Sequence, residues 1–188
     1  MSKYIDIYFD MDGTLATFKN AEKYEDFFTP GFFENLTPQR NILNGAKKLF
    51  EMEKEQKIRI YILSSIIKGH KTAKTEKNKW LDTYFPELPK SRRIYSIVGE
   101  NKANYIRDIN RAILIDDFGP LVDNFINAGG VAIKVSRDAC DMVYEQLQMK
   151  HALYISPDDS DAHIKNYTLA VKKYCFYDEK GNSNNNAK

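Results

Sequence analysis

Cysteine is scarce. The chain of 188 residues has two, Cys140 and Cys175. They show no CxxC spacing and form no disulfide framework, so they read as free thiols in a reducing compartment. Long hydrophobic runs are missing too. No stretch approaches the roughly 20 apolar residues that span a bilayer. The opening residues, Met1-Ser2-Lys3-Tyr4-Ile5-Asp6, lack the apolar centre of a signal peptide. A soluble, cytoplasmic protein is expected. Neither sign of charge is in excess: Lys+Arg number 28 and Asp+Glu 26, a formal net charge of +2. That balance gives no reason to expect a nucleic-acid polymer or a membrane as partner. His70, His151 and His163 have no metal-ligand spacing, and no internal repeat is visible. Apolar residues, by contrast, make up 43%, enough for the core of one domain.

Short apolar runs alternate with amphipathic stretches. Tyr4 to Phe9, Ile58 to Leu63, Ile94 to Val98, Ala112 to Ile115 and Val131 to Val135 read as buried parallel strands. Leu43 to Glu55, Thr75 to Tyr84, Asn101 to Asn110 and Gly119 to Ala128 carry apolar residues at helical spacing. This order predicts an α/β fold, a doubly wound, Rossmann-like parallel sheet of about five strands. One stretch breaks the rhythm. Residues 17–36 hold Phe18, Tyr24, Phe27, Phe28, Phe32 and Phe33 around a Pro30-Gly31 break. They read as a small cap inserted over the C-terminal end of the first strand. Residues 151–179 are open between an edge strand and a helix, and 180–188 have the composition of a disordered tail.

The chemistry centres on Asp10-Met11-Asp12-Gly13-Thr14, directly after the first strand. Parallel sheets bind ligands at the C-terminal ends of their strands. Two carboxylates two residues apart at that point can both face the crevice. Asp116-Asp117 supplies a second acidic pair at a second strand end. Carboxylates so gathered repel one another unless a cation lies between them, and an oxygen-rich site suits Mg²⁺. Ser64-Ser65, after the second strand, offers donors to an oxyanion. Lys102 could bring an ammonium to the same crevice, with Lys68 as the alternative. Together these describe phosphoryl transfer. Asp10 attacks phosphorus, Asp12 protonates the leaving oxygen and later activates water, and the cations offset the phosphate charge.

DMDGT, a Ser after a hydrophobic strand, a Lys and IDD, in that order, resemble the four motifs of the haloacid dehalogenase-like (HAD) hydrolases over about residues 4–150. Within them, DMDGTLATF, FFENLTP, LSSIIKGHKTAKTEKNKWLDTYF and ILIDDF look most like pyrimidine 5'(3')-deoxyribonucleotidases. The resemblance implies a Mg²⁺-dependent phosphatase domain over 1–150, with 151–179 as a C-terminal extension. Asp10 is then the nucleophile and a metal ligand. Asp12 is the acid/base, with its backbone carbonyl on the metal. Ser64, Ser65 and Lys102 bind phosphate. Asp117, with Asp116 beside it, completes the metal site, and Phe18 stacks on the nucleobase. The implied partner is a small phosphate monoester, with monomer and homodimer both open. Three departures bear on the substrate. The cap is shorter, Ser64-Ser65-Ile66 stands where Thr-Ser-Pro is commoner, and the interval from Lys102 to Asp116 is longer. A phosphatase for another small phosphate, such as a sugar phosphate, is the first alternative. A non-catalytic module on the same fold is the second, and the intact carboxylate set argues against it.

Overall fold

The structure, a computed structural model, describes residues 4–17, 23–136 and 153–177. Phe18, Cys140, His151 and the tail 180–188 lie outside the described residues.

Six strands form one sheet: β1 (Ile5–Phe9), β2 (Ile58–Ile66), β3 (Arg93–Ile97), β4 (Ala112–Asp116), β5 (Val131–Val135) and β6 (Leu153–Ile155). Every pairing is parallel, in the order β3-β2-β1-β4-β5-β6. This is a doubly wound α/β sheet. Its strand order reverses direction between β1 and β4, where a crevice opens beyond the carboxyl ends. All five residues of β1 and of β4 are buried, as expected of central strands covered on both faces.

Among the described residues five α-helices accompany the sheet: α1 (Arg40–Glu51), α2 (Glu53–Gln56), α3 (Ala73–Tyr84), α4 (Gly119–Asn127) and α5 (Asp161–Phe176). The period of two along each strand divides the core. Ile5, Ile7, Phe9, Ile58, Ile60 and Ile62 face one way and meet apolar residues of α1, α3 and α5. Tyr8, Leu63 and Leu114 face the other way and meet Val122 and Phe125 of α4. None of the helices among the described residues is long and apolar enough to cross a membrane.

Several expectations change in detail. The sheet has six strands, because Leu153–Ile155 pairs with β5 and α5 follows it. The segment 151–179 thus contains both a strand and a helix. The expected helix over 101–110 is two single 3₁₀ turns, Lys102–Tyr105 and Ile109–Arg111, with Ile106 extended between them. Asn101, Asn104, Asp108 and Asn110 explain the difference, since such side chains compete with the helix for backbone groups. The Asn101 side chain does so visibly, accepting from the Ala103 N–H at 2.9 Å. The strand expected to end at Leu63 runs on to Ile66, so Ser64 and Ser65 lie within it, opposite Tyr95 and Ser96 of β3.

Candidate active site

The site begins where β1 runs out. The Asp10 N–H still donates to the Ile115 carbonyl, at 2.9 Å, so the ladder to β4 fixes the first carboxylate. The chain then folds back on itself. The Met11 carbonyl accepts from Ala16 N–H at 2.8 Å, and Gly13 N–H donates to the Ala16 carbonyl at 2.7 Å. Met11 and Leu15 are buried in the core, while Asp10 and Asp12 line a cavity. Gly13 sits at φ +84°, and a Cβ there would overlap the Asp117 carboxylate. Glycine thus allows both the turn and the close approach of the second acidic pair.

Two buried lysines organise the carboxylates. Lys102 donates to Asp10 Oδ1 at 2.5 Å and to Asp116 Oδ2 at 2.6 Å. Burial works against its charge, but the two carboxylates outweigh this and hold Lys102 above the usual lysine value. Asp116 Oδ1 accepts from Phe118 N–H at 2.8 Å. Burial pushes the Asp116 carboxyl up, with Lys102 opposing. Lys77, from α3, donates to Asp12 Oδ2, to Ser64 Oγ at 2.8 Å and to the Ser65 carbonyl at 2.7 Å. Burial also pushes the Asp12 carboxyl up, with Lys77 opposing. The other oxygen, Asp12 Oδ1, is buried and makes no hydrogen bond.

Asp10, Asp116 and Asp117 bring carboxylate oxygens within 4.8 Å of one another, and all three are buried. Lys102 contacts Asp10 and Asp116 of this cluster, and one lysine cannot offset three carboxylates. A hard divalent cation suits such an all-oxygen set. The Asp12 side chain is not one of the three, being turned to Lys77.

The cavity holds about 640 Å³. Asp10, Asp12, Asp116, Asp117 and Ser65 form its polar end, and Tyr24, Phe27, Phe32 and Phe33 of the insertion wall it. The sequence places these polar residues together, and the fold does bring Asp10, Asp12, Ser65, Asp116 and Asp117 to one cavity, with Lys102 buried behind Asp10 and Asp116. Ser64 stands behind it, fully buried, with its hydroxyl on Lys77. Lys68 is exposed and does not line the cavity. Phe18 lies outside the described residues. At this polar end, sequence reasoning missed Lys77. The signal was available: Ala73, Lys77, Trp80, Leu81 and Tyr84 share one helix face, and a lysine within an apolar stripe must have a partner.

Comparison with known proteins agrees on the fold. A Thermotoga maritima protein provisionally assigned as a beta-phosphoglucomutase superposes with a TM-score of 0.51 at 13% identity, over 89% of this chain and 100% of that one. At that identity the likeness is one of fold. A family IA, variant 3 HAD hydrolase from Entamoeba histolytica HM-1:IMSS matches with a TM-score of 0.48 and 16% identity, over 87% of this chain and 98% of its own. A chain of the Pnkp1/Rnl/Hen1 complex gives 0.48 and 14% over 72% of this chain, which spans only 47% of that longer chain. No protein-family model and no curated protein matches the sequence.

Proposed function

We propose that this chain is a Mg²⁺-dependent phosphomonoester hydrolase of the HAD type, acting on nucleoside monophosphates through an aspartyl-phosphate. The observation that carries the reading is the unequal treatment of two carboxylates in one cavity. Asp10 shares Lys102 with Asp116, whereas Asp12 has its own lysine, a raised carboxyl and one oxygen free of partners. Carboxylates set apart in this way divide into a nucleophile and an acid.

Asp10 Oδ1 is engaged by Lys102, so Oδ2 attacks phosphorus. The bond from phosphorus to the ester oxygen breaks, and Asp12 gives its proton to the departing alkoxide. Water then attacks the aspartyl-phosphate and passes a proton to Asp12. Inorganic phosphate leaves, and the Asp10 carboxylate is restored. Asp10, Asp116 and Asp117 would hold Mg²⁺, which when bound neutralises phosphate charge. Ser65, on the cavity wall, orients the phosphate, with Lys102 balancing the carboxylates behind it. Ser64 supports this end through Lys77.

The aromatic wall favours a leaving alcohol that carries a planar base, a nucleoside, over a bare hydroxyl-rich sugar. The resemblance to deoxyribonucleotidases adds Phe18 as a stacking residue. A turnover screen with Mg²⁺ across nucleoside monophosphates, sugar phosphates and p-nitrophenyl phosphate tests the reading. Nucleotides should be the best substrates. Asp10→Asn should leave less than about a tenth of the rate, a barrier difference of at least about 1.4 kcal/mol. Faster turnover of sugar phosphates than of any nucleotide would move the assignment to the small-phosphate alternative.

A further inference from the structure

His70 takes no part in the chemistry above, yet both of its ring nitrogens are used. Nδ1 faces two backbone N–H groups at the start of α3, those of Ala73 at 3.0 Å and Thr72 at 3.3 Å. A nitrogen that accepts from amides carries no proton. Nε2 lies 2.8 Å from the Phe27 carbonyl, which can only accept, so Nε2 is the protonated nitrogen. The surroundings therefore specify one neutral tautomer. The ring also stacks on Phe28, with centroids 4.6 Å apart at 9°, and meets Phe33 edge-on at 5.7 Å. Phe27 and Phe33 wall the cavity. One imidazole thus joins the insertion to the first turn of the helix that carries Lys77 to Asp12.

We propose that His70 is a positioning residue: in its neutral form it latches the aromatic insertion over the cavity, and charging the ring releases the insertion. Histidine changes charge between about pH 5 and 8. The imidazolium would direct an N–H at two backbone N–H groups, at a helix N-terminus that already disfavours positive charge. Glu76 of α3 faces the ring and favours the imidazolium, without supplying the acceptor that Nδ1 would then need. Its carboxylate is held below 4.5, so it stays charged through this range. Lys68 and Lys71 flank His70 in its own loop and are exposed, and Lys77 lies over the Phe33 ring at 4.9 Å. From the insertion the ring meets the Phe27 carbonyl and the Phe28 and Phe33 rings. The latch is therefore present where the ring is neutral and is lost as pH falls.

The consequence for substrates rests on the proposed function; the latch itself does not, so its test has two independent arms. The first is hydrogen exchange over residues 23–36, comparing wild type with His70→Ala at about pH 7.5 and about pH 5.5. Wild type should be protected about tenfold more than the variant at the higher pH, the effect of losing one or two hydrogen bonds. At the lower pH the difference should vanish. A difference that persists overturns the proposal. Nitrogen NMR of the wild-type ring covers the case of a variant that does not fold, because a neutral ring protonated at Nδ1 also overturns it. The second arm is kinetic. His70→Ala should raise KM for a nucleoside monophosphate about tenfold and leave kcat for p-nitrophenyl phosphate within about twofold. Equal damage to both substrates contradicts the positioning role. A chain that turns over neither substrate refutes the functional reading and leaves the exchange result standing.

Discussion

In the proposed mechanism proton transfer depends on Asp12, and Lys77 sets its environment. Burial raises the Asp12 carboxyl and Lys77 lowers it, so removing Lys77 should raise it further. The first step needs the protonated acid, so kcat/KM falls as pH rises through the titration of Asp12. Lys77→Met should therefore move that alkaline limb to higher pH. It should also lower kcat at neutral pH by about a hundredfold or more, the weight of a positioned acid. A pH–rate profile on the folded variant checks both, and an unmoved limb would detach Lys77 from the chemistry. The acidic residues were legible in the sequence because DMDGT and IDD stand directly after strand-like runs. Lys77 stood in the apolar stripe of α3, which marks it as buried, but its partner Asp12 could not be read from the sequence, because that depends on what lies opposite the stripe. His70 was missed for a related reason: its partners are backbone groups, which leave no trace in a sequence.

Helix α3 ties the insertion to the sheet through three side chains. Lys77 reaches Asp12, the Trp80 indole donates to the Leu36 carbonyl at 2.7 Å, and Glu76 Oε2 accepts from Phe33 N–H at 3.2 Å. Burial alone would raise the Glu76 carboxyl. Hydrogen bonds from Thr72 and from the Gly31 and Phe33 backbone outweigh it and hold the group below 4.5. Its contribution to stability is thus fully present above about that pH and is lost as pH falls through the lowered value. Glu76→Gln should destabilise the protein at neutral pH, and the gap to wild type should close only in stronger acid. Urea melts at several pH values check this. A gap that closes well above that value would contradict the assignment to Glu76. The alternation of strands and helices was visible in the hydrophobic period. The turns at 101–111 were not, because apolar spacing there resembles a helix while Asn and Asp side chains break it.

The sheet carries a core on both of its faces. The doubly wound order was legible from five apolar runs, but β6, with three residues, is too short to stand out. Helix α5 packs on α1. Ile164 is fully buried, and a Cβ added at Gly45 would come within 2.8 Å of it. Lys48 pairs with Asp161 at 2.8 Å beside that contact. Ile164→Ala should cost about 2–5 kcal/mol. The loss should appear in the unfolding of the whole domain, read from the fluorescence of Trp80, the sole tryptophan. A C-terminal segment that melted separately would leave the Trp80 transition unmoved.

The reaction proposed for the crevice between β1 and β4 has a stereochemical signature. Attack by Asp10 and then by water makes two in-line displacements at phosphorus, each inverting the centre. Hydrolysis of a nucleoside monophosphate made chiral at phosphorus should therefore proceed with net retention, and Asp10→Asn should yield no product of either configuration. Net inversion would mean that water attacks the substrate directly, and that Asp10 never carries the phosphoryl group.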